Sequence, residues 1–255
     1  MINVKIDTEK CVGCLQCILY CPVQAIKKPR SEEPRVAFID QDECVECGVC
    51  LRSEVCRQNA IYGQDLEWPR SIRQAFSAVL VGYDALEKAG IHGYRATSSG
   101  GGRGTSEMKT NDVTGRYREG EVGIGAELGR PGVGFSFRDL EKVTMAMRRI
   151  GCELEPENPV TVLLDPETGR IKYRELLKER ALSAIVETKI DESRMIDVLK
   201  ALQDVAKEVD TVITVDIISK CVGGEIPIKN ALDEAGIRVR VNGKTNVGLG
   251  RPLIK

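Results

Sequence analysis

The chain has 255 residues, with 37 Lys and Arg against 38 Asp and Glu and an apolar fraction of 42%. This length can hold one large domain, or a small domain beside a medium one, and a net charge of −1 gives no basis for general nucleic-acid or membrane affinity. A single histidine, His92, argues against zinc, haem or Ser-His-Asp chemistry.

The chain begins Met1-Ile2-Asn3-Val4-Lys5, without the basic and then apolar regions of a secretion signal. No run approaches the roughly 18 apolar residues of a membrane span. The expectation is a cytoplasmic protein with no membrane span. Eight of the ten cysteines lie in the first 56 residues. Their order is Cys11-x-x-Cys14-x-x-Cys17-x-x-x-Cys21-Pro22, then Cys44-x-x-Cys47-x-x-Cys50-x5-Cys56. In a short secreted chain such density means disulfides. Here the spacing and the length favour metal ligation in a reducing compartment. Zinc ribbons use paired C-x-x-C rather than triplets with a distant fourth cysteine. Triplets of this kind wrap one iron–sulfur cube, with the fourth thiolate reaching another. The spacing therefore predicts two 4Fe–4S clusters and one-electron transfer.

The segment repeats internally. Ile6-Asp7 precedes the first cysteine run as Ile39-Asp40 precedes the second, at an offset of 33, and Ala25-Ile26 matches Ala60-Ile61 at an offset of 35. Each half reads as a short strand, a cysteine loop and a helical turn. Neither half can bury its apolar side alone. Residues 1–67 resemble the bacterial two-cluster ferredoxin family. The resemblance implies that Cys11, Cys14, Cys17 and Cys56 hold one cluster, that Cys44, Cys47, Cys50 and Cys21 hold the other, and that cluster binding is coupled to folding. It also implies a low potential, roughly −400 mV or below. The second half departs from the family pattern: five residues separate Cys50 from Cys56, and Arg57 stands where proline follows in the first half. Residues 1–67 carry 8 basic against 11 acidic residues, so the module is expected to meet a basic partner surface.

Residues 68–118 read as a joint. Trp68-Pro69 opens a helix whose Ile72, Ala75, Phe76, Val79, Leu80, Tyr83 and Leu86 share a face, with Gly90 as its stop. A Gly/Ser-rich arm follows, Thr97 to Ser106, continuing to Arg118; from Arg95 to Arg118 it holds five basic and two acidic residues. It is expected to wrap a partner or to offer an anion nest, with Arg103, Lys109 and Arg116 as contacts. It matches neither the P-loop nor the dinucleotide fingerprint. His92, beside a glycine stop, reads as structural.

Residues 119–255 read as alternating elements. A strand at Glu121–Leu128 leads through the bend Gly129-Arg130-Pro131-Gly132-Val133-Gly134 to a capped helix start, Ser136-x-x-Asp139, and the stripe Leu140, Val143, Met147 and Ile150. Further strands are expected at Val160–Leu164, Ser183–Lys189 and Thr211–Ile218, with a turn at Asp165–Gly169 and a short helix near Tyr173–Arg180. Asp191 caps a second amphipathic helix, Pro227–Ala235 forms a last one, and Ile237–Val241 runs into the hairpin signal Asn242-Gly243. The order β-α-β-(α)-β-α-β predicts an α+β chain with a C-terminal split βαβ, or ferredoxin-like, sandwich. The bend at Arg130 suits either an anion contact or a turn needing left-handed backbone. Cys152 and Cys221 read as buried small apolar residues.

The function expected is low-potential electron transfer, as a subunit of a larger anaerobic oxidoreductase assembly with a redox protein partner. A homo-oligomer is compatible with it; a nucleic-acid partner is not expected. The alternative is an iron–sulfur enzyme or ligand-gated redox sensor whose C-terminal domain binds an anionic small molecule. The lone histidine and the lack of evident paired carboxylates weigh against a stand-alone enzyme.

Overall fold

The computed structural model describes residues 2–29, 36–78, 85–91, 116–130, 132–156 and 158–239. In the N-terminal segment, β1 (Ile2–Ile6) pairs antiparallel with β4 (Ile61–Asp65), and β2 (Ile26–Lys27) pairs antiparallel with β3 (Phe38–Ile39). The first strand of each half thus pairs with the last strand of the other. Val4, Cys17, Ile26, Ala37 and Ile61 are buried between the halves. This is the apolar surface that neither half could bury alone. The 3-10 turn Gln16–Tyr20 and α1 (Val49–Arg52) occupy matching places in the two halves.

The C-terminal segment is built on a four-stranded sheet. It contains β5 (Glu121–Leu128), β7 (Glu153–Leu154), β9 (Ala184–Asp191) and β10 (Ile213–Ser219), in the order β10-β5-β9-β7, with every neighbouring pair antiparallel. The helices α4 (Phe137–Ile150) and α5 (Met195–Val205) pack against each other. On α4, Phe137, Leu140, Val143 and Met147 are buried; on α5, Met195, Val198, Leu199, Leu202 and Val205 are. They meet Val122, Ile124, Ala126 and Leu128, the alternate residues of β5, in one core. Burying each large aliphatic side chain contributes about 1.5–3 kcal/mol. The start of α4 is fixed by Ser136, whose hydroxyl accepts the Asp139 N–H at 3.1 Å. Its end is fixed by Gly151, at φ 93°. A two-residue ladder joins β6 (Phe135–Ser136) to β8 (Arg180–Ala181), and α6 (Lys229–Glu234) ends at Gly236, φ 68°.

Two expectations are corrected here. Val160–Leu164 is not a strand: Thr161–Leu163 is a 3-10 turn, and Leu164 makes only an isolated bridge to Ile171. The Asn158 side chain accepts the Val160 N–H at 2.8 Å and starts that turn. The buried Val160, Leu163 and Leu164 produced a strand-like apolar run, which periodicity alone does not separate from a short buried helix. The sheet strand that directly follows α4 is instead the two-residue β7. The joint helix appears as two pieces among the described residues, α2 (Ser71–Ala75) and α3 (Ala85–Lys88). The expected hairpin at Asn242-Gly243 lies outside the described residues.

The short helix α2 joins the two segments. All five of its residues are buried. On one side Ile72 and Phe76 enter the C-terminal core, where the Phe76 ring meets Phe137 edge-on at 5.6 Å. On the other side the Gln74 carboxamide bonds the backbone of Ile2 and of Glu46. Trp68 donates to Glu175 at 3.1 Å and packs on Tyr173.

Two glycines separate backbone strain from crowding. Gly129 and Gly151 are both left-handed, at φ 83° and 93°. A Cβ on Gly129 would lie 2.5 Å from the Leu182 carbonyl oxygen, whereas one on Gly151 would meet nothing within 4 Å. Gly151→Ala is expected to cost about 1 kcal/mol from left-handed backbone alone, and Gly129→Ala a further 1–3 kcal/mol or so from overpacking. Thermal unfolding of the two variants followed by far-UV circular dichroism gives the ranking, which an equal loss would contradict.

Candidate metal centre

The two cysteine loops share a backbone design. Left-handed residues occur in pairs at the repeat offsets: Gly13 with Glu46, Leu15 with Gly48, and Gln24 with Asn59. Only two of the six are glycines, so the rest hold a conformation that costs an ordinary residue free energy. The hydrogen bonds repeat as well. The Cys11 N–H donates to the Asp7 carbonyl at 3.0 Å, as Cys44 does to Asp40 at 2.9 Å. The Ala25 N–H donates to the Cys21 sulfur at 3.1 Å, and the Ala60 N–H to the Cys56 sulfur at 3.3 Å. Further N–H groups point at sulfur in the second loop, from Glu46 to Cys44 and from Val49 to Cys47. Backbone strain here is matched by N–H groups aimed at thiolates, which stabilises the charged sulfur.

The strand pairing brings Cys56 back to the first loop. Cys11, Cys14, Cys17 and Cys56 line one cavity of about 240 Å³, together with Ile6, Leu15, Ala37 and Ile61. Burial raises the Cys17 thiol, and the charges of Cys11, Cys14 and Cys56 push it further. Cys21 lies on the other side. Burial raises Cys50 to about 12 and also raises Cys47, with Cys21 adding to both. Cys44 is pushed up to about 12, first by burial and then by the adjacent Glu46 carboxylate. Such thiols are protonated at neutral pH and need a strong positive partner to ionise, which a metal provides. Among the described residues no three His, Cys, Asp or Glu side chains converge on a single-ion site. Four thiols set apart around a cavity fit a larger, thiolate-seeking inorganic cluster.

The two ends differ in exposure. Beside the first set, Val12 is 68% and Leu19 88% exposed. In the second, Val45, Glu46 and Cys47 are buried. The second set sits against α2 and the C-terminal segment. The Arg73 guanidinium donates to the carbonyls of Gln41, Asp42 and Cys44, and Arg180 pairs with Glu43 at 2.9 Å. The glycine bend closes the same junction. A Cβ on Gly132 would come within 3.3 Å of the Pro22 carbonyl, and one on Gly134 would touch Val23 and Val45.

The other residues singled out by sequence are not brought together. The N–H groups of Val133 and Gly134 both turn to the Gly129 carbonyl at 3.1 Å, which closes the bend on itself. Arg130 reaches Glu127 at 3.4 Å, and Arg116 pairs with Glu155 at 2.7 Å. Arg103, Lys109 and His92 lie outside the described residues. Cys221 is exposed rather than buried, because it follows β10 onto a turn instead of entering the core. What sequence reasoning missed is Glu46, Arg70 and Arg73. Glu46, fully buried, accepts the Val4 N–H at 3.0 Å and pairs with Arg70 at 2.6 Å. Its position between two ligands, where the first half has Gly13, was the available signal.

Comparison with known proteins places this site in a class. The 4Fe–4S binding domain family matches residues 4–27, so the segment is an iron–sulfur, electron-transferring one. "Ferredoxin 7Fe" of Hydrogenibacillus schlegelii is 35% identical over 72 residues, 26% of this chain and 85% of that protein. Through its N-terminal segment the chain belongs to the ferredoxin family. "Pyruvate synthase subunit PorD" of Methanothermobacter marburgensis is 39% identical over 56 residues, 22% of this chain and 58% of that protein. A subunit of the H(2):CoB-CoM heterodisulfide,ferredoxin reductase of the same organism is 34% identical over 98 residues, 32% of this chain but only 14% of the reductase polypeptide. The chain thus spans a small part of that reductase polypeptide. No solved structure matches. No helix among the described residues is long and apolar enough to cross a membrane.

Cys152 is fully buried in the C-terminal core, and burial pushes its thiol up to about 11. A thiol whose folded-state pKa is raised favours folding below its unfolded pKa, and that contribution is lost as pH rises towards the folded value. The chain should therefore lose about 2 kcal/mol through Cys152 between pH 8.5 and 11, following the usual linkage. Urea unfolding of wild type and Cys152→Ala at the two pH values isolates the effect. Equal pH slopes would rule it out.

Proposed function

We propose that the chain transfers electrons through two 4Fe–4S clusters in crossed ligation: Cys11, Cys14, Cys17 and Cys56 hold one, and Cys44, Cys47, Cys50 and Cys21 the other. The single observation that carries this reading is the exchange of strands between the halves. It sets Cys56 in the cavity of the first triplet and leaves Cys21 beside Cys47 and Cys50. Each cluster takes and returns one electron, with no bond made or broken. The chain's own work is to hold the thiolates apart, aim N–H groups at them and exclude water. The exposed set is the docking end, and the enclosed set is the inner end, next to the C-terminal domain.

The sheet order and connectivity of residues 121–219 support a split βαβ sandwich, and we infer that this domain of residues 119–255 docks a partner, while 68–118 joins it to the ferredoxin module of residues 1–67. Two of the relatives are named as subunits of larger oxidoreductases, which supports a place in such an assembly; we infer that it works in the cytoplasm of an anaerobic cell. A basic redox partner fits the acidic module. Purification without oxygen should give about eight iron and eight sulfide per chain. Cys56→Ser should damage the same cluster as Cys14→Ser, and Cys21→Ser the same as Cys47→Ser, as read by EPR of the reduced protein. One relative's name counts seven irons; seven here would mean an incomplete cube at one site. Zinc, or no iron at all, would overturn the proposal.

A further inference from the structure

Arg73 lies in a place that the electron-transfer reading does not explain. Its side chain is only 5% exposed. Burying a guanidinium costs several kcal/mol unless its donors are satisfied, and here four acceptors meet it. One nitrogen donates to the carbonyls of Gln41, Asp42 and Cys44, at 3.0, 3.2 and 2.6 Å. Another donates to the Glu179 carboxylate at 2.5 Å. The first three acceptors form the backbone that leads into the Cys44 ligand loop. The fourth belongs to the C-terminal domain and sits just before β8. No comparable cation faces the first ligand loop in the hydrogen bonds and ion pairs of the described residues. There Lys10, 62% exposed, meets the Asp7 side chain, and Arg57, which borders the cavity of the first set, is exposed to solvent.

Resting on the crossed two-cluster reading, we propose that Arg73 is a positioning residue through which the C-terminal domain sets the reduction potential of the inner cluster, with Glu179 as the counter-charge. A reduced cluster carries one more negative charge than an oxidised one, so a nearby buried cation favours reduction and a nearby buried anion opposes it. Arg73 paired with Glu179 is close to neutral. Removing Glu179 leaves the cation, and removing Arg73 leaves the anion. Buried charges are weakly screened by salt, and neither Arg73 nor Glu179 borders the cavity of the first set. One cluster should respond and the other should not. Any movement of the segment around Glu179, by a ligand or a docking partner, then acts on the inner cluster by loosening this contact.

The test is a redox titration of the full-length, cluster-loaded protein, with both clusters followed by EPR. At the wild-type midpoint of the inner cluster, Glu179→Gln should raise its reduced-to-oxidised ratio about tenfold, an upward shift of about 59 mV for one electron. Arg73→Gln should lower it by a similar factor. Arg73→Lys keeps the charge but cannot span four acceptors, and it should restore most of the potential. The other midpoint should stay within error throughout. Glu175→Gln removes a partner of Trp68 away from the ligand loop and should move neither midpoint. Should Arg73→Gln lose iron, the Glu179→Gln titration alone decides. No shift, or equal shifts of both clusters, with about eight irons retained, overturns the role of Arg73 and leaves the two-cluster reading standing. A wild-type content near four irons overturns that reading instead.

Discussion

The structure depends on the exchange of strands between the two N-terminal halves. β1 pairs with β4 and β2 with β3, so each half completes its sheet with the other half's last strand. The cysteine that precedes each last strand travels with it, which is why Cys56 sits with the first triplet. A two-stranded ladder is marginal by itself in water, and the buried patch around Val4 and Ile61 is small. A cluster held by these thiolates would then add to what holds the segment together, as in other small domains whose ligands come from distant parts of the chain. The N–H groups aimed at sulfur complete the arrangement, and they require left-handed backbone at residues such as Leu15 and Asn59.

The second dependence is on α2. A helix of five residues cannot stand alone, and its sequence is mostly polar. It is stable because Arg73 and Gln74 find backbone partners in the N-terminal segment and the Ser71 hydroxyl donates to the Ala89 carbonyl, while Ile72 and Phe76 fill the C-terminal core. The two segments are joined by buried hydrogen bonds on one side and aromatic packing on the other. Buried polar contacts are directional and tolerate little slippage, so the Cys44 loop and the β8 region have a fixed relation.

Much of this was legible in the sequence. The cysteine spacing and the offsets of 33 and 35 carry the repeat, because ligand geometry dictates spacing more strictly than packing does. Ser136, Gly151 and Asp191 mark helix boundaries through capping chemistry that acts within one turn. Long-range features were not legible. β7 has two residues, too few for a periodic signal, and it is a strand only because β9 lies beside it. The run at Val160–Leu164 is apolar for burial and says nothing of its backbone. Arg73 looks like an ordinary solvent-facing residue on a helix. Only the folded chain shows that its partners lie 29 to 32 residues before it and 106 after it. The glycine bend read as a tight turn first and an anion contact second; its Val133 and Gly134 N–H groups turn to the Gly129 carbonyl, and Gly132 comes close to Pro22.

The asymmetry between the two ligand sets follows from these contacts. In a free ferredoxin-like module the repeat would make both ends alike. Here the C-terminal domain covers one end, and the loop chemistry differs between the two halves. Where the first loop has Gly13, the second has Glu46, fully buried and paired with Arg70. A carboxylate beside Cys44 raises that thiol and disfavours added negative charge. Arg70 offsets it, and Arg73 with Glu179 adds a second buried pair. The inner end is therefore an environment of compensated buried charges, sensitive to the loss of any one of them. The outer end is an apolar, solvent-facing surface around Val12 and Leu19, suited to contact with a partner. One end of the segment is thus open to solvent around Val12, and the other is held by buried charged groups shared with the domain beside it.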